Sequence, residues 1–154
     1  MQPMHGWTMN STSVAVSLIA AVCVVFAQPG AAQGQDRYKA RLATVPMDGG
    51  MRETVAGTGA ATAVLAGTKL TINGTFEGLR SAATTARLHG GMTKGVRGAA
   101  LGDLTVSKAM SGTITGSVDL TPEQVQGLKS GRLYLQISSE KAPDGNLWGW
   151  LLLR

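Results

Sequence analysis

The closing stretch, Gly131 to Leu153 (GRLYLQISSEKAPDGNLWGWLLL), restricts the fold more than any other part of the chain. Leu133, Leu135 and Ile137 alternate with Arg132, Tyr134, Gln136 and Ser138. A period of two places the three aliphatic residues on one face of a β-strand. The pattern breaks over Ser139 to Gly145, where Pro143 fixes φ and Asp144-Gly145 predicts a turn. Asn146 to Leu153 then reads as the return strand of a hairpin. Leu147, Gly149, Leu151 and Leu153 share one face, and Trp148, Trp150 and Leu152 the other. With both faces apolar, this strand is predicted to be buried on both sides. Trp148 and Trp150, worth roughly 150–250 Å² of burial each, are assigned to core or inter-sheet packing rather than to a ligand platform.

Shorter alternating segments precede the hairpin. In RYKARLATV (residues 37–45), Tyr38, Ala40 and Leu42 share a face opposite the charges. The residues from Pro46 to Gly59 are glycine-rich and read as a long loop. Ala60 to Ala66 and Lys69 to Leu79 form a second predicted hairpin, turning at Gly67-Thr68. Its second arm sets Leu70, Ile72, Gly74 and Phe76 against Thr71, Asn73 and Thr75. Thr84 to His89, Val96 to Leu104 and Gly112 to Leu120 supply further strands. Gly74 and Gly116, inside strands, predict bulges or a close backbone approach. One short helix is expected after Thr121, with Thr121 as N-cap, Pro122 at N1, Gln124 completing a capping box and Gly131 as the stop. Short strands separated by glycine-rich turns predict an all-β antiparallel sandwich or barrel, with that helix as a connector.

The amino-terminal part differs in kind. No Asp, Glu, Lys or Arg occurs before Asp36, and Val14 to Ala27 is apolar apart from Ser17. The run is shorter than the ~18–20 residues of a membrane span, and small residues follow it. Residues 1–27, extending to 32 if the later cleavage site is used, are read as a signal peptide, 28–36 as a flexible linker and 37–154 as the folded domain. The leading residues carry no Lys or Arg, so a start at Met9 or an uncleaved inner-membrane anchor are the alternatives. Cys23 sits among Val22, Val24 and Val25, which does not suit lipid attachment. A cleaved chain would have no cysteine and therefore no disulfide. These features place the protein outside the cytoplasm, periplasmic or secreted, with no stable membrane span in the mature form.

The net charge of +5 belongs wholly to the part after the predicted signal peptide. Arg80, Arg87, Lys94 and Arg97 fall in a stretch without acids, read as a solvated positive face or a surface for polyanionic polymers or lipid headgroups. Nucleic acid is not expected, because no aromatic residues interleave with these bases. Catalytic chemistry finds little to use. His89 is the only histidine beyond His5, and no nucleophile-elbow pattern surrounds Ser81, Ser107, Ser111, Ser138 or Ser139. Asp103, Asp119, Glu123 and Glu140 read as surface charges rather than paired catalytic carboxylates, and Lys94-Gly95 lacks phosphate-loop spacing. His89 is expected at a strand end, hydrogen-bonded to loop backbone, with Arg87 on the same face.

The order of motifs resembles one known family. Leu70 to Leu79 (LTINGTFEGL), Ala86 to Gly91 (ARLHGG), Gly112 to Gly116 ahead of Asp119-Leu-Thr-Pro-Glu-Gln124, Gly131 to Leu135 and Ala142 to Leu151 together resemble the CHRD domain. That domain is known from the developmental antagonist chordin and from bacterial exported proteins. The resemblance spans roughly Arg37 to Leu153 and implies a small exported antiparallel Greek-key β-sandwich or barrel, immunoglobulin-like or superoxide-dismutase-like, a fold-level analogy that transfers no activity. The family commonly has His-x-His where this chain has Arg87-Leu88-His89, and a further histidine at the place of Ser138. An acid and an arginine are usual where Asn146 and Trp148 stand. A metal held by such histidines would find only His89 here, so no zinc, no dismutase-type copper and no other cofactor is expected.

The resulting expectation is a non-enzymatic exported binding or scaffold module. Arg87 and His89 are its candidate binding residues, for an anion or a carbohydrate, and Trp148, Trp150, Tyr134, Phe76 and Gly145 are structural. Envelope polysaccharide, lipid headgroups or another protein are the candidate partners. A degenerate dismutase-like metalloenzyme and a self-associating envelope protein are the alternatives.

Overall fold

Alternating side chains carry nine strands through a computed structural model that describes residues 35–154. The expected signal peptide, the alternative start at Met9, Cys23 and nearly all of the linker lie outside the described residues. The strands are β1 (Asp36–Thr44), β2 (Thr58–Ala66), β3 (Lys69–Glu77), β4 (Ala83–Gly90), β5 (Ala99–Val106), β6 (Gly112–Asp119), β7 (Leu133–Ser139), β8 (Ala142–Trp150) and β9 (Leu152–Leu153). A 3₁₀ turn occupies Met51–Glu53 in the long β1–β2 loop, and the one α-helix among the described residues, α1 (Pro122–Lys129), joins β6 to β7.

Every strand pairing is antiparallel, and β1 pairs with both β2 and β8. The order β1-β2-β3-β6-β5-β4-β7-β8 therefore closes on itself as an eight-stranded barrel, with β9 added along β1. The connection from β6 through α1 steps over β5 and β4, so β7 lies beside β4 and completes a Greek key. Closure leaves no long free sheet edge.

The inward residues are those that alternation predicts. Tyr38, Ala40 and Leu42 of β1, Leu70, Ile72 and Phe76 of β3, and Leu133, Leu135 and Ile137 of β7 are all at most 3% exposed. Leu88, Ile114, Leu147 and Leu151 complete the filling from β4, β6 and the β8–β9 segment. A barrel of eight strands is just wide enough for side chains to fill it, which turns attention to its outer wall. Gly74 supports the expectation of close approach: a Cβ there would sit 2.7 Å from the Ala60 carbonyl oxygen.

Helix α1 begins as its sequence dictates. The Gln124 N–H donates to Thr121 Oγ1 (3.3 Å), and the Thr121 N–H donates to Gln124 Oε1 (2.9 Å). These bonds satisfy two otherwise orphaned backbone donors. Glu123, in the first turn, is held below its usual carboxylate range by backbone and Thr121 hydrogen bonds. Leu128 is fully buried in the barrel core, with Val125 packed beside it, and Gly131 takes φ +68° to end the segment.

The closing hairpin differs from expectation in two respects. Its turn is Glu140–Lys141, between Ser139 and Ala142, which are paired. Pro143, Asp144 and Gly145 instead form a bulge within β8, where the register shifts between Ile137 and Ser139. The bulge is held by the Asp144 carbonyl, which accepts from Arg97 Nη1 (2.8 Å) and Gln136 Nε2 (3.2 Å). Gly145 remains structurally required, because its φ of +130° excludes most side chains. The second correction concerns the tryptophans. Leu147 and Leu151 face the core, but Trp148 and Trp150 lie on the opposite, outer face and are only half-buried. Among the described residues no second sheet covers them; they pack instead against Tyr134 and residues of the loops.

Candidate functional site

The outer faces of β4, β7 and β8 form a grid fixed by register. Arg87 lies between Asp103 on β5 and Gln136 on β7, and Gln136 is opposite Trp148 on β8. In the next row His89 is opposite Tyr134, which is opposite Trp150. In the row on the other side Thr85 is opposite Ser138. Between these strands and the Pro143–Asp144 bulge runs a groove of about 240 Å³. Thr85, Arg87, His89, Gln136, Ser138, Pro143 and Asp144 line it. The structure thus brings Arg87 and His89 together, as alternation requires. It also adds Ser138, a buried side chain of β7, to the lining.

An aromatic cluster adjoins the groove. His89 stacks on Tyr134 with ring centroids 5.0 Å apart and planes 16° from parallel. Tyr134 meets Trp150 at 4.5 Å and Trp148 at 5.9 Å, and the two indoles lie 6.0 Å apart, edge to face. Such pairs add roughly 0.5–1.5 kcal/mol each beyond area burial. Trp148 also packs on a small satellite cluster of Val45, Val55 and Ala142 beneath the β1–β2 loop.

The loop from Gly91 to Gly98 is clamped to this cluster at one residue. The Gly98 N–H donates to the Tyr134 hydroxyl (3.0 Å), and the Gly98 carbonyl accepts from His89 Nδ1 (3.0 Å). A carbonyl can only accept, so Nδ1 carries the proton and Nε2 is the nitrogen left for the groove. His89 therefore has the role expected of it, a strand-end histidine bonded to loop backbone.

The electrostatics of the groove differ from those of a bare arginine. Arg87 Nε is 2.6 Å from Asp103 Oδ1, and the two side chains are 48% and 80% exposed. Arg97 is engaged on the Asp144 carbonyl. Of the four cations in the acid-free stretch, two are thus tied to specific partners, while Arg80 and Lys94 are exposed. The groove does not suit a metal: it offers one imidazole, and the Arg87 guanidinium beside it repels a cation. Among the described residues no group of three or more His, Cys, Asp or Glu side chains is placed to hold a metal ion.

The CHRD domain model matches residues 40–151, most of the chain. The chain belongs to the CHRD family. No curated protein and no solved structure matches it. The matched span begins inside β1 and ends just after β8, so this CHRD domain is the closed barrel described above, groove and aromatic cluster included. Among the described residues of the CHRD domain no helix is long and apolar enough to cross a membrane.

Asn146 is the residue that sequence reasoning missed. It is fully buried, and it pins the long β1–β2 loop to β8. Its Oδ1 accepts from the Ala56 N–H (3.1 Å), its Nδ2 donates to Ser139 Oγ (3.0 Å), and its carbonyl accepts from the Val45 N–H (3.0 Å). The available signal was a long loop in need of an anchor, next to a polar residue at the head of an apolar strand.

Proposed function

We propose that this CHRD domain is an exported, non-catalytic binding module, and that the groove around Arg87, His89 and Gln136 takes a neutral, hydroxyl-bearing ligand of the carbohydrate class. The observation that carries this reading is the Arg87–Asp103 pair. With Asp103 on the Arg87 Nε and Asp144 also in the lining, the groove has no net positive charge to attract an anion. It keeps donors on the remaining guanidinium nitrogens and the Thr85 and Ser138 hydroxyls, and an acceptor at His89 Nε2. Alternating donors and acceptors match vicinal hydroxyls. The half-buried indoles of the adjoining cluster suit the apolar face of a sugar ring.

Register supports the non-catalytic part. Ser138 stands beside Thr85, four residues along β4 from His89. That is about 13 Å of strand, beyond the reach of a serine–imidazole hydrogen bond. The partner of His89 Nδ1 is a carbonyl, whereas a triad orients its base with a carboxylate.

Isothermal titration of the full chain with a panel of neutral oligosaccharides tests the proposal. Binding is expected to change little with salt, and Arg87→Ala is expected to weaken it about tenfold. Equal affinity of Arg87→Ala and wild type, or hydrolysis of the bound sugar, would overturn it.

A further inference from the structure

A second surface lies on β1, away from the groove. Arg37, Lys39 and Arg41 occupy alternate positions, all exposed and all on the outer wall. Alternate residues on a strand stand about 7 Å apart, so the three cations form a straight line. Their cross-strand neighbours on β2, β3 and β6 are neutral. Arg37 is followed by Val64, Thr71 and Ser117 across β2, β3 and β6; Lys39 by Thr62, Asn73 and Thr115; Arg41 by Ala60, Thr75 and Thr113. On the other side Lys39 faces Leu152 of β9, 43% exposed. The nearest acid in this register, Glu77, is on β3, one row beyond Arg41. Asp36 is turned to Lys129 of α1, at 3.9 Å.

None of the three forms a salt bridge among the described residues, and the preceding 35 residues contain no acid that could supply one. A cleft of about 300 Å³ opens over β1 and β2, with Arg37, Lys39 and Thr62 in its lining. Arg154 lines it too and adds a fourth cation beside Arg37.

We infer that this β1 stripe is a docking surface for a linear, carboxylated polysaccharide. Three unpaired like charges in one line repel each other and attract a polyanion. Their spacing along a strand suits charges repeated along an extended polymer better than a single small anion. A concave cleft beside them favours a polymer chain over a bilayer, because membrane-surface elements insert a projecting apolar face. The inference is independent of the groove, which is neutral and lies on other strands.

The test is retention of the full chain on immobilised polygalacturonate as salt is raised, with dextran as the neutral control. Arg37→Gln/Lys39→Gln/Arg41→Gln is compared with Arg80→Gln/Lys94→Gln/Lys141→Gln, which removes the same charge from other exposed positions. The wild type is expected to bind polygalacturonate at low salt and to release it steeply as salt rises. The β1 triple should bind at least about tenfold more weakly, with a shallower salt dependence, and the control triple should stay close to wild type. Circular dichroism confirms that both variants fold. Equal weakening of the two triples, absence of binding by the wild type, or binding to anionic phosphatidylglycerol vesicles with none to polygalacturonate would each overturn the inference. So would a wild-type dimer that the β1 triple converts to monomer, since the stripe would then belong to a second copy.

Discussion

Asn146→Ala is expected to destabilise the domain by about 3 kcal/mol, read as a lower urea midpoint at unchanged m. The fully buried Asn146 side chain joins the β1–β2 loop, β7 and β8 through one part-buried and one buried hydrogen bond. Truncation leaves the Ala56 N–H without its acceptor and the Ser139 hydroxyl, itself fully buried, without its donor. Each buried polar group left unpaired costs about 1–3 kcal/mol, and the small cavity adds to that. Ser139→Ala removes only one of the two side-chain bonds and is expected to cost about half as much. Equal losses for the two variants would show that the loop anchor at Ala56 contributes nothing.

Gly98→Ala is expected to cost a similar amount, about 2–4 kcal/mol, for a different reason. A Cβ at Gly98 would overlap the Gly90 carbonyl and press on Gly91, both backbone groups with no room to yield. The loop must lift, which breaks both clamp bonds at once and leaves the hydroxyl of Tyr134, 1% exposed, without its donor. The aromatic cluster would lose its fixed geometry, so near-ultraviolet circular dichroism from Tyr134, Trp148 and Trp150 should weaken along with the melting temperature. Retention of the wild-type aromatic signal would show that the cluster does not depend on the clamp.

The strands were legible because each has one face in a filled barrel, and burial on one face imposes a period of two. Ile72 and Phe76, Leu133 to Ile137, and the capping box at Thr121 all stand where their chemistry predicts. Barrel closure was less legible, since it depends on β1 reaching both β2 and β8, and the latter contact spans about a hundred residues of sequence. The hairpin turn was misplaced because Pro143-Asp144-Gly145 carries every local turn signal, whereas Glu140–Lys141 carries none. Side chains from distant segments, Arg97 and Gln136, decide the matter by holding the Asp144 carbonyl in a bulge. The tryptophans were misassigned for a related reason. Two apolar faces on a strand imply two coverings, but the outer covering here is Tyr134 and residues of the loops, Val45 and Val55 among them. The Arg87–Asp103 pair joins strands that are neighbours only in the folded sheet, so the charge of the groove was beyond reach of local pattern. The β1 stripe, by contrast, was visible as R-x-K-x-R, but its lack of acidic neighbours became visible only with the register.

The account rests on Asp103 cancelling the charge of Arg87, and Asp103→Asn isolates that claim. The decisive measurement is titration with galactose and with galacturonate, in a chain whose β1 stripe is silenced by Arg37→Gln, Lys39→Gln and Arg41→Gln. With Asp103 present, the neutral sugar is expected to bind and the acidic one to bind far more weakly. Asp103→Asn frees the guanidinium and should raise galacturonate affinity about tenfold, an increase that Arg87→Ala abolishes. Galacturonate preference with Asp103 still in place, or no change on Asp103→Asn, would contradict the account.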